Sequence, residues 1–196
     1  MTNYPLDLLF KFSIVPQISV TDSSGQQIAY VKQKLFKLKE AISVFSDETQ
    51  TNISFKIEAD RVIDFSAKYN FYDSSGGNFG AVKRQGLKSI LKAHYDIFDG
   101  NNESPTLDIQ EENSLIRLAD GCLNQIPIVG LFMGYFLNPT YIVTRPDGTP
   151  VMRLLKMPAF MEGKFQLQKL AEMDKAEEDR VLLSVVMMTL LERTRG

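Results

Sequence analysis

Residues that usually carry chemistry are scarce in this chain. It has one cysteine, Cys122, one histidine, His94, and no tryptophan. A single cysteine forms no intrachain disulfide, which favours a reducing, cytoplasmic location, and its expected role is that of a small buried residue. One cysteine and one histidine also do not supply the spaced ligand pairs of a zinc site or a Cys–His or Ser–His–Asp catalytic set. Alternation places His94 beside Lys92 and Asp96, as a solvated strand residue.

A strong excess of charge of either sign is also absent. The formal net charge is −2 over 196 residues, of which 44% are hydrophobic and 23% charged. A dedicated nucleic-acid-binding protein normally has a marked basic excess, so no nucleic-acid partner is expected. The first residues, MTNYPLDLLFKF, contain no basic leader before an apolar stretch, and no secretory signal is expected. The composition predicts one soluble globular domain over residues 1–196.

No apolar run is long enough to cross a bilayer. The longest near the C-terminus, Val181–Leu191, would extend about 16 Å as a helix, against a hydrocarbon core of about 30 Å. Asp174 and Glu177 have capping-box spacing before this run, and two arginines follow it, which favours a helix near residues 174–194. A helix that is apolar all round belongs inside a protein, so the sequence predicts a core helix wrapped by the preceding strands.

Most of the remaining chain repeats one pattern of strand, glycine turn, strand, loop and strand. The copies lie near residues 18–47, 69–99 and, more weakly, 141–169. The turns Asp22-Ser-Ser-Gly25 and Asp73-Ser-Ser-Gly76 match without a gap, and they suit hairpins in which glycine supplies positive φ. About a dozen short strands are predicted, and meanders of this kind commonly close into barrels.

The hairpins, the segment Gly134–Tyr141 (GYFLNPTY), the following Gly148-x-x-Val151 and the terminal apolar helix together resemble the LURP-one-related family. That family is related to the tubby C-terminal domain and to the phospholipid scramblases. The resemblance implies a mainly β fold, a closed antiparallel barrel of about twelve strands around a central hydrophobic C-terminal α-helix.

Catalytic and cofactor motifs are missing. The glycine cluster Gly76–Gly80 has neither the lysine nor the following helix of a phosphate-binding loop. Asp99, Asn101 and Glu103 have the opening spacing of a calcium loop, but Gln110 stands where the bidentate glutamate belongs. No enzyme activity, metal or cofactor is therefore expected.

Two clusters of basic residues are candidates for binding acidic lipid head groups. They are the stretch Lys32, Lys34, Lys37 and Lys39 and its repeat counterpart Lys83, Arg84, Lys88 and Lys92. If neighbouring hairpins combine them into one basic face, that face would attract an anionic membrane surface. The family's relation to tubby domains, which bind phosphoinositides, points the same way. The alternative is that these lysines only keep strand edges soluble and unpaired.

The segment Ile126–Leu137 (IPIVGLFMGYFL) is the most apolar stretch outside the helix. It is too short for a transmembrane helix, so its expected role is a pair of buried strands, with a membrane-dipping loop as the alternative. Three functions follow from the sequence as a whole. The first is a non-enzymatic cytoplasmic binding or scaffolding module for acidic lipid head groups, peripheral at the membrane. The others are a scramblase-like membrane-associated protein and a small-molecule carrier or enzyme with a pocket at the barrel mouth.

Overall fold

The computed structural model describes residues 2–33, 41–61, 67–86, 93–100, 102–112, 139–158 and 163–193. The strands are β1 (Leu6–Phe10), β2 (Gln17–Thr21), β3 (Gln27–Gln33), β4 (Ala41–Phe45), β5 (Ile53–Ala59), β6 (Lys68–Asp73), β7 (Asn78–Arg84), β8 (His94–Asp99), β9 (Leu107–Glu111), β10 (Thr140–Thr144), β11 (Pro150–Met157) and β12 (Lys164–Lys169). One helix, α1 (Lys175–Arg193), follows them.

The strands form a closed barrel in which each pairs antiparallel with its sequence neighbours. Closure is completed by β1 and β12, where Leu8 lies opposite Phe165 and Leu6 opposite Leu167. Closure removes the unpaired strand edges that would otherwise invite aggregation. The predicted twelve-stranded antiparallel barrel is confirmed.

Helix α1 lies inside the barrel, because its residues from Val181 to Leu190 are all buried while Leu191 is half-buried. Its start has the predicted cap, since the backbone N–H of Glu177 donates to the Asp174 carboxylate at 2.7 Å. Inward residues of the strands, such as Phe71, Ile97 and Leu154, pack around it as one core. Among the described residues, no helix is both long and apolar enough to cross a membrane.

The two DSSG turns have the same hydrogen-bond pattern. Asp22 accepts from the backbone N–H and hydroxyl of Ser24 at 2.9 and 2.6 Å, and Asp73 accepts from Ser75 at the same two distances. The glycines at these turns, Gly25 and Gly76, have φ of 82° and 86°. The aspartate carboxylates thus accept hydrogen bonds from backbone N–H groups that a tight turn leaves without a backbone partner.

Strand direction divides the connections between two rims. The turns that follow even-numbered strands lie at the end where α1 begins, which we call the upper rim; there Arg145, in the β10–β11 turn, holds Glu177 of the first helical turn. The odd-numbered strands end where α1 finishes, which we call the lower rim. There Arg193 lies 4.8 Å from the ring of Phe10, the last residue of β1.

Candidate binding sites

The predicted basic face depends on where Lys32 and Lys83 lie on the barrel wall. Lys32 is on β3 and Lys83 is on β7, so β4, β5 and β6 separate them. Strands are spaced about 4.8 Å apart, so the two positions are about 19 Å apart around the wall. The strand order therefore does not bring these two lysines together.

Each of these lysines also has polar or acidic surroundings. Lys32 is half-buried, and its ammonium group donates to the side-chain oxygen of Gln50 at 3.1 Å. Lys83 is exposed, with Lys68 opposite it on β6 and Asp96 opposite it on β8. The described wall at Lys83 thus carries mixed charge, which weakens its attraction for an anionic surface.

Arg84 corrects part of the sequence prediction because its side chain faces the barrel interior. It is 5% exposed, and its guanidinium lies 3.7 Å from the carboxylate of Glu192 in the last turn of α1. The guanidinium also lies 5.7 Å from the ring of Tyr95. Successive strand residues point to opposite faces, so Arg84 and Lys83 cannot belong to one outward surface. Alternation from the buried Val82 was the sequence signal for this placement.

The interior cluster at the lower rim has strongly perturbed hydroxyls. The pKa of Tyr95 is raised by burial and by its hydrogen bond to Glu192, and that of Tyr141 is raised by burial and by the nearby Glu192 charge. Both phenols stay protonated at any physiological pH, and the Tyr95 hydroxyl can act as a donor to Glu192. This cluster stabilises the end of α1.

The remaining predicted ligands lie outside the described residues. They are Lys34, Lys37, Lys39, Lys88 and Lys92, together with the apolar segment 126–137. His94, on the outer face of β8, is half-buried with its Nε2 atom 3.9 Å from the Asp108 carboxylate.

The loop between β1 and β2 presents apolar side chains at the lower rim. Phe12 is 84% exposed and Ile14 is 94% exposed, whereas the other large hydrophobic side chain exposed in the described residues, Leu170, lies at the opposite rim and is 42% exposed. The loop is short and held at its base, since the N–H of Lys11 donates to the carbonyl of Gln17 at 2.9 Å. Sequence reasoning missed this loop, because apolar residues ahead of the first predicted repeat at residue 18 are as compatible with burial as with exposure.

The upper rim is acidic. All five of its hairpin turns carry acidic side chains, which are Asp22, Asp47, Glu48, Asp73, Glu103 and Asp147. Three basic side chains are committed to the start of α1 or to the strand beside it. They are Arg145 on Glu177 at 2.7 Å, Lys169 on Glu178 at 2.8 Å, and Arg180 on Asp99 at 2.9 Å. Of the acidic turn residues, Glu48 forms an ion pair with Lys11 of the β1–β2 loop at 2.7 Å.

A cavity of about 150 Å³ lies near the upper rim, between the first turns of α1 and strands β3, β4 and β5. Its polar lining consists of Ser54, Lys175 and Asp179. In the part of the chain that the structure describes, no group of three or more histidine, cysteine or acidic residues is arranged to hold a metal. The mainly apolar lining of the cavity makes it a candidate for an organic ligand.

The comparison with protein families decides what this barrel is. The model of the LURP-one-related family matches residues 27–124, half of the chain, from the start of β3 to beyond β9. The chain belongs to the LURP-one-related family. The match includes the strands that carry Lys32 and Lys83, but not the β1–β2 loop or α1. No curated protein matches this LURP-one-related chain.

Proposed function

We propose that this protein is a non-enzymatic cytoplasmic module that binds anionic membrane surfaces peripherally through its lower rim. The observation that carries the proposal is the exposure of Phe12 and Ile14 on the β1–β2 loop. An exposed apolar patch on a protein surface commonly marks a site of protein or membrane interaction. Burial of each such side chain in a membrane interface would contribute about 1.5–3 kcal/mol.

Basic residues follow, in the sequence, a strand end that contacts this loop. The N–H of Gln33, the last residue of β3, donates to the carbonyl of Pro16 at 3.1 Å. The lysine-rich stretch with Lys34, Lys37 and Lys39 follows Gln33 directly in the sequence. Lysines near an anionic surface contribute about 1 kcal/mol each. The lysine charges and the two inserted apolar side chains would together supply the two kinds of interaction that stable membrane attachment requires.

The charge of the opposite end favours one orientation. Apart from Glu48, which pairs with Lys11 of the β1–β2 loop, the acidic side chains of the upper-rim turns would be repelled by anionic lipids, so the lower rim would face the membrane. A scramblase-like spanning role has less support, because the apolar helix serves as the core of the barrel. The non-enzymatic part of the proposal rests on the residue inventory: the single histidine is on the outer wall beside Asp108, remote from the cavity at the upper rim.

Vesicle sedimentation tests the proposal. The wild-type chain and the double variant Phe12→Ser, Ile14→Ser are each mixed with vesicles. The vesicles contain phosphatidylcholine alone, or phosphatidylcholine with added phosphatidylserine or a phosphoinositide. We expect binding to the acidic vesicles and at least a tenfold loss in the double variant, since two lost anchors of this size exceed about 1.4 kcal/mol. Leu170→Ser is the matched control, because it removes an exposed apolar side chain at the upper rim.

Circular dichroism and thermal melting establish that each variant is folded. Equal binding by wild type and the loop variant, or an equal loss in Leu170→Ser, would overturn the lower-rim assignment. Binding to neutral vesicles as strong as that to acidic ones would remove the requirement for anionic lipid.

A further inference from the structure

The cavity near the upper rim results from the position of α1 within the barrel. The helix approaches β7 and β8 more closely than the other strands. Gly80 on β7 allows this approach, since a Cβ atom there would lie 2.9 Å from Cδ of Arg180. Arg180 in turn forms an ion pair with Asp99, at the end of β8, at 2.9 Å. With the helix held at this side, space remains between it and β3, β4 and β5.

The walls of the cavity are apolar. Strands contribute Ala29, Val44 and Phe55, and the facing side of α1 contributes Leu182 and Val186. A volume of about 150 Å³ is comparable to that of an engineered apolar cavity, ~150 Å³, that stays dry and binds benzene. The space thus matches one six-membered ring or an alkyl group of similar size.

One side chain at the mouth of the cavity gives it a chemical preference. Asp179 lies four residues before Leu183 on the cavity-facing side of α1, and its side chain is 21% exposed. Its partner is Lys175, one helical turn earlier, whose side chain is 68% exposed. Burial raises the pKa of the Asp179 carboxyl, and the Lys175 charge opposes this effect without cancelling it. The negative charge of Asp179 is therefore only partly offset by Lys175, whose exposed side chain can rotate into solvent.

We propose that this cavity binds a small apolar amine, with its ring or alkyl group between α1 and strands β3–β5 and its ammonium group on Asp179 in place of Lys175. An ammonium donates a charge-assisted hydrogen bond to the carboxylate. The displaced Lys175 regains full hydration, which limits the cost of exchange. A carboxylate ligand would be repelled by the Asp179 charge at the mouth of the cavity. A neutral ligand would form no ion pair with that charge. This site is at the rim opposite the proposed membrane-binding loop, so the two proposals are independent.

Titration calorimetry and amide NMR on the full chain test the proposal with three probes of one size: benzylamine, toluene and benzoate. We expect benzylamine to bind and to shift amide signals of β3–β5 and the first turns of α1. Toluene should bind the wild type at least about tenfold more weakly than benzylamine does. Benzylamine should bind Asp179→Asn more weakly by the same factor, because a hydrogen bond to a charged group contributes about 1.5–3 kcal/mol. Benzoate should not bind.

Two further variants test the volume of the cavity, one controls for charge and one removes the competing ammonium group. Ala29→Leu fills the space and should abolish benzylamine binding; Val44→Leu serves the same purpose if that variant does not fold. Asp147→Asn is the matched control, since it removes an acid from the same rim outside the cavity and should bind benzylamine as the wild type does. Lys175→Met removes the competing ammonium and should bind benzylamine at least as tightly.

Four results would overturn the proposal, and three of them compare affinities. These three are equal benzylamine affinity in wild type and Asp179→Asn, binding that survives both filling variants, and preference for benzoate over benzylamine. Absence of benzylamine binding to the folded wild type at millimolar concentration would also overturn it. Vesicle binding by the lower rim would be unaffected by any of these outcomes.

Discussion

The hydroxyl of Tyr95 donates a hydrogen bond to the carboxylate of Glu192 at 2.5 Å, joining the start of β8 to the last turn of α1 across 97 residues of sequence. Arg84 lies 3.7 Å from the same carboxylate. At the other end of the helix, Arg145 holds Glu177 through two hydrogen bonds of 3.0 and 2.7 Å. Helix α1, although apolar along its middle, is thus fixed in register by polar contacts at both ends, which apolar packing alone does not specify.

The contact between Tyr95 and Glu192 gives the first prediction. Tyr95→Phe removes only the hydroxyl and should lower the free energy of unfolding by about 1–2 kcal/mol, because it leaves a part-buried carboxylate with one donor fewer. Glu192→Gln should be destabilising as well. A double-mutant cycle by urea unfolding should give a coupling energy above about 0.5 kcal/mol. Additive effects of the two substitutions would show that the hydrogen bond is not formed in solution.

The burial of Met187 inside the barrel gives the second prediction. Met187→Asp should prevent soluble expression, since an unpaired buried charge costs several kcal/mol against a total stability of about 5–15 kcal/mol. Met187→Leu is the control, because it keeps the volume and should cost less than about 1.5 kcal/mol. A folded, soluble Met187→Asp protein would contradict the central position of α1.

The DSSG turns give the third prediction, which isolates backbone conformation. A Cβ atom at Gly25 or Gly76 would meet nothing within 4 Å, but both residues have positive φ. Gly25→Val and Gly76→Val should therefore each lower stability by at least about 1–2 kcal/mol through conformation alone. Gly86→Val is the control, since that site is equally open and has no positive φ. Equal melting temperatures for all three variants would contradict the turn assignment.

Acid dependence of stability gives the fourth prediction. Hydrogen bonds from the Ser75 hydroxyl and from the backbone N–H of Gly77 lower the pKa of Asp73 in the folded protein below its ordinary value of 3.8. The unfolded chain therefore takes up this proton first, so the contribution of Asp73 to stability is present above pH 3.8 and is lost as the pH falls through the folded pKa. Urea unfolding should show that the free energy of unfolding decreases less between pH 5 and pH 2 in Asp73→Asn than in the wild type.

Asp179 supplies a control of opposite sign for this titration. Burial raises its pKa above 3.8 in the folded state, so its contribution to stability increases as the pH falls through that raised pKa. In Asp179→Asn, stability should therefore decrease more steeply with falling pH than in the wild type. Identical pH dependence of the wild type and both variants would show that neither carboxyl is perturbed.

Much of the fold was readable from the sequence because it depends on local patterns. The apolar run Val181–Leu191, interrupted only by Ser184 and Thr189, identified the core helix. The DSSG turns identified hairpins whose strands close the barrel. The side of the wall on which Arg84 lies also follows from alternation, but grouping it with Lys83 by sequence proximity obscured this. Proximity along the chain is a poor guide to a surface on a barrel, where neighbours on one face are two residues apart or on the next strand.

Other features depended on relationships between distant residues. The cavity exists because Gly80 and Asp99 hold Arg180 at one side of the barrel, and no local pattern reports where a helix sits within a lumen. The separation of Lys32 from Lys83 depends on strand order around the closed wall. The exposure of Phe12 and Ile14 likewise required the structure, since an apolar pair beside a strand is as compatible with burial as with display.

The lysine-rich stretch after β3 gives the last prediction. Changing Lys34, Lys37 and Lys39 together to Glu should strongly reduce sedimentation with acidic vesicles. These lysines follow Gln33 in the sequence, and the N–H of Gln33 donates to Pro16 of the β1–β2 loop. Lys83→Glu is the matched charge reversal on the wall and should have a small effect, since Lys83 lies four strands from β3 and opposite Asp96. High salt should weaken wild-type binding, because charges separated by more than a Debye length are screened. A larger loss in Lys83→Glu than in the triple variant would move the membrane-binding surface from the lower rim to the barrel wall.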